Sequence, residues 1–264
     1  MNKKLITLVL LLFVFALPVS AFVVDGSIYT AGVSKYLWRG GLLNDGPAIQ
    51  SGVSFGAEGV TLQLWTSAHQ EISPDLFDEI DLYANYEHSI PYLDVVTLGI
   101  GYASYMIAPY NYPNIEPSQE ISFTIKSDVI STPYITWYHS LDAATTYNYL
   151  EAGVSYEHEI GELIGGTATA SIAGTLGLDL NEAYLDVDTA ELKEAADLTV
   201  AAFNLSFNYA IAGFTITPSA LFQLSLNRES YYENDIALSL MVNYDFVIGT
   251  EEKTEEAVEE KAAE

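Results

Sequence analysis

Between residues 26 and 247 the chain is written in period two, and that alternation limits its folds more than any other feature. Apolar and polar side chains take turns in short runs, with Gly, Pro, Asn or Asp between one run and the next. Within 78–88, Ile80, Leu82, Ala84 and Tyr86 share one face, while Glu79, Asp81, Tyr83, Asn85 and Glu87 share the other. Within 118–127, Ile121, Phe123 and Ile125 oppose Glu120, Ser122, Thr124 and Lys126. The run 234–247 sets Ile236, Leu238, Leu240, Val242, Tyr244 and Phe246 against Asp235, Ala237, Ser239, Asn243 and Asp245. Successive side chains of a strand point to opposite faces, so each run is a strand with one apolar side. The pattern predicts an all-β chain of about twelve antiparallel strands. They fall at 26–39, 47–57, 59–69, 78–88, 93–106, 118–127, 132–140, 147–159, 166–178, 197–210, 213–227 and 234–247.

A strand with one apolar side suits a soluble core and a lipid-facing wall equally. Other features separate the two. Residues 1–21 have Lys3 and Lys4, an apolar run from Leu5 to Leu17, and Val19-Ser20-Ala21 before Phe22, the layout of a cleaved secretory signal. That run is too short to cross a bilayer as a helix, which takes about 20 residues. With no cysteine, an exported chain of this kind holds together without disulfides. The connections after alternate strands are longer, Ala108 to Pro117 and Asp179 to Ala196 among them, whereas Glu58-Gly59 and Ile211-Ala212 are tight. Long loops on one rim and short turns on the other are the habit of outer-membrane barrels. Phe55, Tyr86, Tyr156, Tyr209 and Tyr244 take the apolar parity beside the short-turn rim, as an interfacial aromatic girdle would. The expectation is a transmembrane, antiparallel, up-and-down β-barrel over 22–248, with its termini in the periplasm. A signal peptide precedes it at 1–21 and a short acidic periplasmic tail follows at 249–264. A soluble β-sandwich or barrel is the alternative.

The formal net charge of -27, from 36 acidic and 9 basic residues, argues against a nucleic-acid partner. Half the residues are hydrophobic, too many for a disordered chain. Glu251 to Glu264 hold seven Glu and two Lys and read as a solvated tail. On the inward parity lie Glu79, Asp81, Glu87, Glu120, Glu151, Glu157 and Asp245, with Lys126 the clearest base of the later strands. A lumen so lined is negative and favours cations. Lys35 and Arg39 oppose Tyr36 and Trp38 in parity. A lysine facing hydrocarbon costs about 2–4 kcal/mol at mid-depth, so the bases are expected inward. Tyr36 and Trp38 are then expected outward, at the loop-side interface. Arg39 is expected to pair with a carboxylate and pin the wall.

No enzyme, metal site or cofactor is expected. His88 and His158 close Tyr-Glu-His runs at the short-turn rim, and His139 precedes Ser140 with no GxSxG pattern. His69 with Glu71, Asp75 and Asp78 makes an acidic loop that reads as solvated. Asp179-Leu180-Asn181-Glu182 opens like a calcium loop, then places Ala183 and Ala190 where ligands are needed.

Ser34-Lys35-Tyr36-Leu37-Trp38-Arg39-Gly40, followed by Asp45 and Pro47-Ala48-Ile49-Gln50, resembles the first hairpin of the TorF-type porin family of bacterial outer-membrane proteins. That family carries a Ser-x-Tyr-x-x-Arg-Gly and Pro-Ala-x-Gln pattern. The resemblance implies an outer-membrane barrel acting as a passive channel for small hydrophilic solutes or cations. Outer-membrane lipid and the barrel-assembly machinery are then its partners. It supplies no particular solute. A structural barrel without an open pore, its tail contacting a periplasmic partner, is the other reading.

Overall fold

The structure is a computed structural model that describes residues 23–69, 78–107, 117–142, 147–186, 191–226 and 234–249. The expected signal peptide and the acidic tail beyond residue 249 lie outside the described residues. The first elements are β1 (Val24–Val33), β2 (Tyr36–Trp38), β3 (Gly41–Asn44), β4 (Ala48–Ala57) and β5 (Val60–His69). Then come β6 (Glu79–Ile90), β7 (Leu93–Ile107), β8 (Ser118–Ser127), β9 (Thr132–Ser140) and β10 (Asn148–Leu163). The chain finishes with β11 (Gly166–Asp186), β12 (Glu191–Ile211), β13 (Phe214–Ser225) and β14 (Asp235–Ile248).

Twelve of these strands form a closed antiparallel ring in chain order, β4 through β14 and back to β1. The seam pairs β1 with β14 from Val24↔Ile248 to Val33↔Ser239. Closure leaves no unpaired sheet edge, the condition a sheet must meet in hydrocarbon. The burial pattern is the inverse of a soluble protein's. Ile28, Leu82, Ile100, Ile125 and Leu240 lie on the outer face, each about half exposed, while most of the buried positions are small or polar, Ala103, Ala168, Ser67, Thr136 and Gln223 among them.

One rim carries short turns, several of them of two residues. Glu58-Gly59, Ile164-Gly165 and Ala212-Gly213 all have both residues at left-handed φ, between 46° and 84°. Such turns match the right-handed twist of the flanking strands and close them tightly.

Two expectations are corrected. The first strand stops at Val33, and residues 36–44 form a separate two-stranded hairpin, β2–β3, outside the ring. Of the stretch from Asp179 to Ala196, read as a loop, Asp179 to Asp186 instead continue β11 and Glu191 to Ala196 begin β12, pairing as far as Asp186↔Glu191 with a register shift between Asp179 and Glu182. Beyond an apolar belt neither face of a strand has to be apolar, so the alternation fades while backbone pairing persists.

Candidate functional site

The residues of the Ser34-to-Gln50 motif converge on the long-loop mouth of the barrel. Ser34 fixes the point where the chain leaves the wall: its amide donates to the Leu238 carbonyl at 2.8 Å, and its hydroxyl accepts from the Leu238 amide at 2.9 Å. From there the β2–β3 hairpin turns inward. Lys35 is held between Asp45 at 2.7 Å and Asp235 at 2.8 Å. The hydrogen bond to Asp235, then that to Asp45, keeps its amine above the usual lysine range.

Tyr36 and Trp38 therefore do not join an outer girdle. The Tyr36 ring sits 5.6 Å from Trp65 and stacks over His69 at 6.1 Å, and its phenol bonds the Glu79 carboxylate. Trp38 meets Tyr105 edge-on at 5.9 Å. Parity fixes the direction of a side chain only where the residues are wall, and residues 34–39 are not. Once the chain leaves the wall, inside and outside no longer alternate.

The tip of the hairpin is Arg39-Gly40, with φ of 47° and 93°. Gly40 adopts this conformation freely, but for arginine it is uncommon. The turn sends the guanidinium to the far side of the ring. Arg39 donates from Nη1 and Nη2 to the two Glu120 oxygens at 2.8 and 2.9 Å. Its guanidinium lies 3.9 Å from the Tyr138 ring centre, 4.6 Å from Trp38 and 5.0 Å from Tyr149. Burial among these rings works against the charge, but Glu120 more than offsets it, so Arg39 is held above even its usual range. Tyr105 adds a third hydrogen bond to Glu120 at 2.8 Å. The Gly40 carbonyl accepts from the buried Gln223 amide at 2.7 Å. Beside this junction is a cavity of about 330 Å³ lined by Trp38, Leu43, Glu120 and Tyr147, where burial pushes the Tyr147 phenol up.

Below the hairpin the inward face is polar. Tyr83 donates to Asp81 at 2.8 Å and Tyr134 to Glu151 at 2.7 Å. Glu157 accepts from Ser171 at 3.1 Å and Asn208 at 3.4 Å. Lys126 pairs with Glu87 at 2.6 Å nearer the short-turn rim. Among the described residues, Lys35, Arg39 and Lys126 are thus all ion-paired, whereas Glu79, Asp81, Glu151 and Glu157 are held by neutral donors. Sequence reasoning missed the inward tyrosines: Tyr83 and Tyr134 hold Asp81 and Glu151, Tyr105 holds Glu120, and Tyr138 lies against the Arg39 guanidinium. Their signal was available: they share the parity of the carboxylates, where a one-sided apolar strand should have no ring.

Phe55, Tyr86, Tyr156 and Tyr244 stand on the outer face toward the short-turn rim, each at least 40% exposed. Tyr209 is half-buried there and donates to the carbonyls of Leu163 and Ile164 at 2.9 and 3.0 Å. His139 stacks on Trp137 at 5.4 Å on the outer parity, while His69 faces the lumen and binds Asp78 at 2.7 Å. The two histidines lie on opposite faces of the wall and cannot share a substrate. Glu71 and Asp75 lie outside the described residues, and among those described no three His, Asp or Glu side chains are grouped to hold a metal ion.

Comparison with solved structures returns outer-membrane barrels. The KdgM porin superposes with a TM-score of 0.52 at 11% identity, over 83% of this chain and 99% of that one. LpxR from Salmonella typhimurium gives 0.48 at 9%, covering 83% and 99%, and the NanC porin 0.47 at 11%, covering 87% and 100%. No protein-family model matches the chain, and no curated protein does. The TorF-type resemblance therefore rests on the 34–50 motif alone. At these identities what is shared is architecture: the chain has the fold of a porin-like, twelve-stranded outer-membrane barrel.

Proposed function

We propose that the protein is a passive outer-membrane channel that prefers cations. Its outer face lies in lipid, its insertion depends on the barrel-assembly machinery, and its cargo is small hydrophilic solutes or ions. The observation that carries the charge preference is the unequal pairing inside the barrel. Lys35, Arg39 and Lys126 are each neutralised by an acid, while among the described residues Glu79, Asp81, Glu151 and Glu157 have no basic partner. A wet passage with that lining holds a negative potential and concentrates cations. Lys35, Arg39 and Glu120 serve the mouth rather than the mid-lumen, and Lys126 locally offsets Glu87. Phe55, Tyr86, Tyr156, Tyr209 and Tyr244 anchor the short-turn rim at the interface.

The test is the reversal potential of the purified barrel in a planar bilayer under a potassium chloride gradient. A cation-selective potential that moves toward zero in Glu151→Gln and Glu157→Gln supports the reading. Anion selectivity overturns the charge argument. Absence of conductance, from both the native barrel and one whose inner hairpin has been excised, overturns the channel. The second reading is a structural barrel, and the hairpin across its mouth is the observation that favours it.

A further inference from the structure

We propose that the β2–β3 hairpin is the size-selecting element of the passage, a strap latched by Arg39 and Glu120, so that the strap and not the width of the wall sets what crosses. This rests on the channel reading. The wall is complete without the strap: Val33 and Ala48 are register partners in the β1–β4 ladder, so residues 34–47 add nothing to closure. Nor is the strap part of any wall ladder. β2 and β3 pair only with each other, and past Ser34 the hairpin is held to the ring through side chains.

Those side chains span the aperture. Starting beside β1, they reach β5 and β6 on one flank, β13 and β14 on the other, and β8 and β9 on the far wall. β9 is diametrically opposite β1 in the ring. A segment that touches both flanks and the far wall at one level crosses the opening there. The residue at its tip fits the same purpose. A two-residue turn of this kind is easiest for Asn-Gly, yet Arg39 occupies the first position in a left-handed conformation, and what that choice supplies is the reach to Glu120. A cavity of about 330 Å³ lies beside the latch.

The deciding variant replaces residues 34–47 with Asn-Gly, joining Val33 to Ala48 by the turn type already used on the opposite rim. Folding is verified by the β-sheet circular dichroism signal and by protease resistance in detergent. Single-channel conductance and the exclusion limit for neutral polyethylene glycols are then compared with the native barrel. The strap predicts a several-fold larger conductance and admission of larger polymers. A milder variant, Arg39→Gly, suits the turn but releases the latch, and should produce excursions to the larger level. Equal conductance and equal exclusion in native and excised barrels overturn the strap and leave the channel standing. A native barrel that conducts while the folded excised barrel does not also overturns the strap, and silence of both overturns the channel reading and the strap with it.

Discussion

Arg39 and Glu120, 81 positions apart, meet through two hydrogen bonds of 2.8 and 2.9 Å at the mouth of the barrel, with both side chains less than a tenth exposed. Removing one partner of a buried pair leaves an uncompensated charge, which costs about 3–5 kcal/mol. Arg39→Ala should therefore lower stability by about that much. The double variant Arg39→Ala/Glu120→Ala should be less damaged than the single one. Arg39→Lys should recover only part of the loss, because an ammonium lacks the planar fork that binds both oxygens and stacks on Tyr138. Denaturant midpoints of the folded barrel in micelles measure all three.

Glycine opposite tyrosine is a second vulnerable arrangement. A side chain at Gly52 would meet the Tyr29 ring at 2.5 Å, and one at Gly153 would run into the ring of Tyr134, which holds Glu151. Gly52→Val and Gly153→Val should each cost about 1–3 kcal/mol by overpacking. Gly32→Val, where the space is open, should be nearly neutral in the same unfolding assay.

The two faces of β5 should respond differently to a charge. Leu64 is on the outer face at mid-strand, and its neighbour Gln63 faces inward, hydrogen-bonded to Tyr29 at 3.4 Å. Leu64→Arg should cost about 2–4 kcal/mol in lipid or detergent. Gln63→Arg should cost clearly less, and the reverse order would mean that the wall is inside out.

Lys126→Gln should make the channel more cation-selective, opposite in sign to Glu157→Gln. It frees Glu87 from its ion pair and removes a positive charge from the lumen. Because Lys126 and Glu87 are both partly exposed, the shift should shrink as salt rises. Reversal potentials at two ionic strengths measure it.

The ring of strands was legible because one face of each strand had to be apolar, as in Ile121, Phe123 and Ile125 of β8. The short turns were legible for a related reason: Glu58-Gly59 interrupts the alternation by two residues, and the turn expected at Ile211-Ala212 lies one residue later, at Ala212-Gly213. The inner hairpin was not. Tyr36 and Trp38 continue the alternation of β1 so smoothly that only pairing distinguishes wall from strap, and pairing is a non-local property. Arg39 was expected to find a carboxylate, which it does, but the partner lies across the barrel on β8. Nothing local to either residue encodes that distance. Parity puts Tyr83 and Tyr134 on the inner face, but it does not say that they hold Asp81 and Glu151, because each donor is positioned by the fold of its own strand or the next.

The seam between β1 and β14 also dictates an order of events. Val24 faces Ile248, so the first strand to emerge is the last to be matched. Until β14 arrives, β1 and β13 each present a bare edge, and edges of that kind recruit other chains. A chain that lacks β14 has no closed form, and a closure that joins the first strand to the last is intrinsically slow. Loss of β14 should thus be worse than loss of any equal length of loop: it converts a closed wall into an open sheet with two adhesive margins.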